Sequence, residues 1–210
     1  MGKAAADIAT LIAAERRELA NFFEGFSPAQ WEAPSLCAGW RVREVVAHMS
    51  TGFRHPTAKV LLELVRARGS LHRTTDRLAR RDAAAYPDRE LAGFLRAHAH
   101  HPWTPPVGGR AAALGHDVVH GLDVTVALGL DRRVPEDRLR IVLAAVDPRA
   151  FRFFGTDLTG VRLCADDLDW SFGTGAPLHG AAQDLLLVAY GRRLPGGRLR
   201  GEEVHRFVTA

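Results

Sequence analysis

Two histidines four residues apart constrain this chain more than anything else in it. They stand in Gly115-His116-Asp117-Val118-Val119-His120-Gly121-Leu122-Asp123. The surrounding stretch, Arg110 to Leu128, is rich in alanine, valine and leucine and reads as a helix that Gly129 ends. On a helix, residues i and i+4 leave the same face, close enough to share one cation. Two ligands rarely hold a catalytic metal without a third. The third candidate is His48, in Gly39-Trp40-Arg41-Val42-Arg43-Glu44-Val45-Val46-Ala47-His48. Val42, Val45, Val46 and Met49 form the inner stripe of that helix, and His48 sits at its edge. Helical bundles build metal sites from such inward-facing side chains on neighbouring helices. The expectation is a metal centre inside a helical bundle.

The rest of the chain can be laid out around these two helices. Ile8, Leu11, Ile12, Leu19, Phe22 and Phe23 give helical spacing over 4–24, which Gly25 ends. Ser27-Pro28 opens a turn, with Trp31 packing over the bundle end. The His48 helix pauses at His55-Pro56, because proline disfavours helix in the residue before it, and resumes through Val60, Leu61, Leu64 and Val65 to Gly69. A helix over 71–81, one over 89–98 and one over 136–146 complete the first part. Residues 98–109 form a loop by composition. Beyond Gly155 the pattern changes. Val161–Ala165 and Asp169–Phe172 alternate like strands, and Ala181 to Tyr190 reads as a helix stopped by Gly191. The sequence thus predicts an α+β chain: a helical bundle over 1–150 and a small α/β domain over 155–210.

Composition narrows the function classes. Hydrophobic residues make up 47% and charged residues 25%, which fits a globular chain with a real core. No apolar run approaches the ~18 residues of a membrane span. The first residues lack an apolar signal region, since Asp7 and Glu15-Arg16-Arg17 interrupt it. Two distant cysteines, Cys37 and Cys164, make no disulfide framework and suit a reducing cytoplasm. The net charge is +4. Much of the excess falls in Lys59, Arg66, Arg68, Arg73, Arg77, Arg80 and Arg81, set against Glu63, Asp76 and Asp82. Without interleaved aromatics or a recognisable motif, this stretch reads as a solvated face, not a nucleic-acid site.

Other residues compete for the site. His55 lies seven residues after His48, on a similar face. His98, His100 and His101 cluster in the loop and read as exposed. Cys37 precedes the His48 helix and reads as a small buried hydrophobe, with thiolate ligation as the alternative. Asp117 stands where the glutamate of H-E-x-x-H would, so a zinc-protease base is one methylene short. Asp123 is placed to fix a neighbouring imidazole or arginine, or to form a simple ion pair. A Ser-His-Asp arrangement, a phosphate loop and a dinucleotide fingerprint are all absent.

Leu36-Cys37-Ala38-Gly39-Trp40-Arg41-Val42-Arg43-Glu44-Val45-Val46-Ala47-His48 resembles the C-x-G-W-x-V-x-x-V-x-x-H signature of the mycothiol-dependent maleylpyruvate isomerase family, within the DinB-like metal-binding superfamily. The stretch from His116 through Asp123 to Ala127-Leu128-Gly129 resembles the second signature, roughly E-x-x-x-H-x-x-D. The tail, Asp184 to Leu187 followed by Gly191-Arg192, looks like the family's small domain. The resemblance implies a DinB-like four-helix bundle, a sterol-carrier-like tail, and a divalent metal held by His48, His116 and His120. Zinc is the expected metal, with nickel or iron as alternatives. Position 116 departs from the isomerase, where a glutamate stands, and makes the site one charge more positive. Arg192 matches an arginine that helps at the substrate carboxylates; Arg193 beside it could substitute.

The implied activity is a metal-dependent enzyme that uses a low-molecular-weight thiol, mycothiol, for isomerisation or S-transfer on a small electrophile. A DinB-like metal hydrolase and a non-catalytic metal-binding or regulatory protein are the alternatives. The expected partners are the thiol and the electrophile, in a monomer or homodimer, with neither membrane nor nucleic acid.

Overall fold

The structure, a computed structural model, describes residues 2–209, and the side chains of 8–148, 151 and 153–209. They form two compact units, Met1–His120 and Gly121–Ala210. The division falls inside one helix, α7 (Gly109–Ala127), so each unit is described by itself.

The first unit is helical. It contains α1 (Gly2–Glu24), α2 (Pro28–Glu32), α3 (Val42–Arg54), α4 (Thr57–Arg66), α5 (Leu71–Ala85), α6 (Asp88–Ala97) and the first part of α7. α1 packs on α6, and α3 packs on both α5 and α6. The core stripes follow helical spacing. Val42, Val45, Val46, Met49 and Phe53 are buried along α3, and Ile12, Leu19 and Phe23 along α1.

Local chemistry sets the boundaries. Ser27 caps α2 in a capping box with Gln30, with Pro28 in the first turn. At the start of α3 the Glu44 carboxylate accepts the backbone N–H of Arg41 at 2.8 Å. The chain does break at His55-Pro56, where His55 turns to extended backbone with ψ of 131°. α5 continues to Ala85, four residues past the predicted end, because Ala83-Ala84-Ala85 prolongs it until Tyr86-Pro87.

The second unit is mixed. It contains the end of α7, α8 (Glu136–Ala144), α9 (Pro148–Phe154), β1 (Val161–Ala165), β2 (Ser171–Gly173), β3 (Ala176–Gly180), α10 (Ala182–Ala189), β4 (Leu199–Arg200) and a closing 3-10 turn, Glu202–Arg206. The sheet order is β2-β1-β3-β4. β1 pairs antiparallel with β2 and parallel with β3, and β3 pairs antiparallel with β4. All eight residues of α10 are buried, as expected of a helix apolar nearly all round. It packs on β1, β3 and α8.

Some elements were not legible in the sequence, among them α2, where Ser27-Pro28 reads only as a turn. β3 contains Pro177 and two glycine-flanked residues, and α9 follows an Asp-Pro pair that reads as a stop. The arrangement is α+β: mostly helical at the N-terminal end, with a small mixed sheet at the C-terminal end. Among the described residues no helix is long and apolar enough to cross a membrane.

Candidate functional site

The first unit brings His48, on α3, together with His116 and His120, on α7. One ring nitrogen from each lies within 4.8 Å of the others. Ring centroids are 5.1 Å apart for His48 and His116, 4.9 Å for His48 and His120, and 4.7 Å for His116 and His120. The Nε2 atoms of His48 and His116 are 3.3 Å apart. Two nitrogens bound to one tetrahedral zinc at about 2.0–2.1 Å would stand roughly 3.3 Å from each other. The donor set therefore fits a divalent metal of intermediate softness, and the three residues could hold one.

Behind His116 runs a chain of buried groups. His116 Nδ1 lies 3.0 Å from Asp117 Oδ1, so a proton on Nδ1 is donated to the carboxylate and Nε2 keeps its lone pair. Arg16 Nε donates to the other oxygen, Oδ2, at 2.8 Å, and both side chains are fully buried. Arg16 Nη1 also donates to the carbonyls of His98, Ala99 and His101, at 3.3, 3.4 and 2.9 Å. One guanidinium thus fixes both the carboxylate behind a candidate ligand and the loop after α6. Asp117 orients an imidazole here, a role the comparison with H-E-x-x-H does not suggest.

Aromatic rings border the site. Trp40 lies against His48 with centroids 5.1 Å apart, and Trp103 against His116 at 5.3 Å. Gly52 leaves room for Trp103: a Cβ there would come within 2.1 Å of the indole. Cys37 Sγ is 3.7 Å from His120 Nδ1, so the thiol belongs to the surroundings of the trio.

The competing histidines lie elsewhere. His55 Nε2 bonds Asp82 at 2.7 Å, and its Nδ1 meets Lys59 at 3.2 Å. His98 stacks on Phe53, and its Nδ1 donates to the carbonyl of Phe94 at 3.0 Å. Burial first, then the charges of Arg16 and His98, hold the His101 imidazole below its usual value. Neutral, it accepts the Trp103 N–H at 3.1 Å. His100 meets Arg17 at the surface.

In the second unit, Arg192 is joined to Asp123 by a two-pronged pair, Nε to Oδ1 at 2.8 Å and Nη2 to Oδ2 at 2.7 Å. Its Nη1 donates to the carbonyl of Tyr190 at 2.7 Å. Asp123 therefore fixes an arginine. Arg193 reaches the carbonyl of His205 at 3.4 Å.

Arg16 was missed from the sequence, although a signal exists. Ile12, Arg16, Leu19 and Phe23 are spaced i, i+4, i+7, i+11, so an arginine occupies the apolar stripe itself.

Against this geometry, the family model "Mycothiol maleylpyruvate isomerase N-terminal domain" matches residues 12–102. Over that span the chain is similar to the N-terminal domain of that family. It includes His48 and the Gly39-Trp40 turn; His116 and His120 lie beyond it. Two solved structures are similar across the whole fold. One is the mycothiol-dependent maleylpyruvate isomerase, at 15% identity and a TM-score of 0.53, covering 93% of this chain and 90% of that one. The other is a variant of that isomerase with one histidine changed to alanine, at 14% identity and a TM-score of 0.51, with the same coverage. These likenesses establish a shared fold. No curated protein sequence matches significantly.

Proposed function

We propose that this protein is a metal-dependent enzyme acting with a low-molecular-weight thiol, mycothiol, on a small electrophilic substrate. The observation that carries the reading is the convergence of three imidazoles, with two Nε2 atoms 3.3 Å apart, in a chain whose residues 12–102 match a mycothiol-dependent family. His48, His116 and His120 would hold the cation; three imidazoles with an open position make a catalytic zinc set, and nickel or iron also accept imidazole. A bound divalent metal with an open position would lower the pKa of a thiol, making thiolate available at neutral pH.

The chain's own residues do the rest. Asp117 holds the Nδ1 proton of His116, which leaves the Nε2 lone pair available and would orient it for ligation. Arg16 neutralises Asp117, so no uncompensated charge sits behind the ligand. Trp40 and Trp103 border the histidines with apolar surface, which limits water there. The thiolate sulfur adds to the electrophilic carbon of a conjugated C=C bond, whose π pair moves onto the adjoining carbonyl oxygen as an enolate; collapse of the enolate expels the thiolate, whereas protonation at carbon retains the C–S bond. Rotation about the former double bond and loss of the same thiol gives isomerisation; retention of the new C–S bond gives S-transfer. A neutral histidine at position 116 leaves the ion more positive than a carboxylate would, favouring an anionic thiolate. By the resemblance, Arg192 corresponds to an arginine that meets an anionic substrate end; within the second unit it is paired with Asp123.

Metal content of purified protein tests this. The native chain should carry close to one equivalent, and His120→Ala less than about a tenth of that. Mycothiol should raise the melting temperature of the metal-loaded protein only. Arg192→Met should keep its metal and raise KM for an anionic substrate. A native protein that takes up no zinc, nickel or iron would overturn the reading.

A further inference from the structure

The basic stretch that carries the charge excess supplies none of the three histidines; α5 touches their surroundings where Asp76 accepts the Trp40 indole N–H at 2.8 Å and Arg80 donates to the carbonyl of Gly39 at 2.8 Å. Residues 59–82 hold seven basic side chains against three acidic ones, an excess of four, and the whole chain has a net charge of +4. The remainder is therefore close to neutral, and positive charge is concentrated at one place in the sequence.

Within that stretch α4 is inverted. Ala58, Leu61, Leu62 and Val65 follow i, i+3, i+4, i+7, the spacing that ordinarily marks a buried stripe. Here all four are exposed, with Leu61 at 55%, Leu62 at 49% and Val65 at 75%. Leu71, at the start of α5, is 43% exposed. Of the six exposed large hydrophobics among the described residues, four fall between positions 61 and 71. The inward face carries Glu63, which is only 4% exposed. Three guanidiniums gather on its carboxylate: Arg66 at 2.9 Å, Arg77 at 3.5 Å and Arg81 at 3.6 Å. Arg81 also lies 3.8 Å from Asp82, a carboxylate shared with Arg54 and His55, so the cations outnumber the carboxylates and the cluster keeps a positive field. Lys59 and Arg66 border the aliphatic stripe on the helix surface, and Arg68 follows in the turn.

An exposed apolar patch rimmed by charge marks a partner. A second copy of the same face would set like charge against like. A nucleic acid would use the arginines and leave the leucines in water. An anionic bilayer surface uses both: aliphatic side chains enter the headgroup boundary and basic ones meet the headgroups. We propose that α4 docks this protein, in the plane of the interface, on an anionic membrane surface. Lying on a membrane is distinct from spanning it, and no residue of the aliphatic stripe is one of the three candidate metal ligands.

Full-length protein sedimented with vesicles tests this. Vesicles of phosphatidylcholine alone should leave it in solution, and vesicles with about a third phosphatidylglycerol should bind it. Raising salt to roughly 0.5 M should weaken binding about tenfold or more. The double variant Leu62→Asp/Val65→Asp should lose at least about tenfold in partition while keeping the native melting temperature and metal content, since both side chains are exposed. Arg68→Gln should lose less. Absence of binding to anionic vesicles at low salt would overturn the proposal, as would equal binding by the aspartate variant. A concentration-dependent dimer abolished by Val65→Asp would assign the stripe to a second copy and overturn it too.

Discussion

Burying a guanidinium and a carboxylate is tolerable only when each satisfies the other, and Arg16 with Asp117 is such a pair. Removing one partner leaves a charge in the core without compensation. Arg16→Met should therefore destabilise the protein by roughly 3–5 kcal/mol, read from urea unfolding. Asp117→Asn should cost less in stability and weaken zinc binding about 10–100-fold, because the amide no longer fixes His116 as a charged acceptor does. The double variant should be less destabilised than the sum of the two, since the orphaned charge is gone. Strict additivity would show that Arg16 acts on the 98–101 loop alone. At the same scale the sequence was only half legible. His48, His116 and His120 could be named from spacing, but Arg16 is 101 residues from Asp117, and no local pattern pairs them.

At the scale of elements, α3 and α5 are held by a buried ionic cluster at the end of α3. Asp82 bonds His55 at 2.7 Å and lies 3.5 Å from Arg54. The Arg54 guanidinium is stacked over the rings of Tyr86 and Phe94, at 4.4 and 3.7 Å. Burial works to raise the Asp82 carboxyl, but the His55 hydrogen bond and the charges of His55 and Arg54 outweigh it and hold the group below its usual value. A carboxyl with a depressed folded pKa contributes stability above its unfolded value, near 4, and loses it as pH falls through the folded value. Native protein should therefore lose urea resistance between about pH 4 and pH 2, and Asp82→Asn should lose less over that interval while starting lower at pH 7. Parallel pH profiles for the two proteins would contradict the assignment. The helix break at His55-Pro56 was readable from one proline, whereas the meeting of His55 with Asp82 was not, because it depends on how α3 packs on α5.

At the scale of the whole molecule, the two units use different means to stay ordered. The helical unit relies on apolar stripes locked by buried ionic groups. The mixed unit buries α10 whole and satisfies its polar side chains internally. Gln183 is the instance with the clearest consequence: it accepts the N–H of Val134 at 3.1 Å and donates to the carbonyl of Arg132 at 3.0 Å. Gln183→Leu would leave both backbone groups unpaired at a buried position, and should cost about 1–3 kcal/mol in thermal or urea unfolding. A neutral outcome would mean that the 130–135 segment finds other partners. Alternation announced this unit's β1 and an apolar run its α10, while β3 stayed hidden because Pro177 and Gly180 read as loop until β1 and β4 flank the strand.

The sequence by itself determined the longer helices, the break at His55-Pro56, and which histidines share a face of α7, because these depend on spacing within one segment and on local backbone preference; the short helices α2 and α9 escaped it. It also located the charge excess in residues 59–82. Only the tertiary structure decided that His48, and not His55 or His98, joins the pair on α7, that Arg16 and Asp117 stand behind it, and that the aliphatic stripe of α4 faces outward. Those outcomes follow from contacts between residues tens of positions apart, whose energies come from packing and desolvation and leave no periodic trace along the chain.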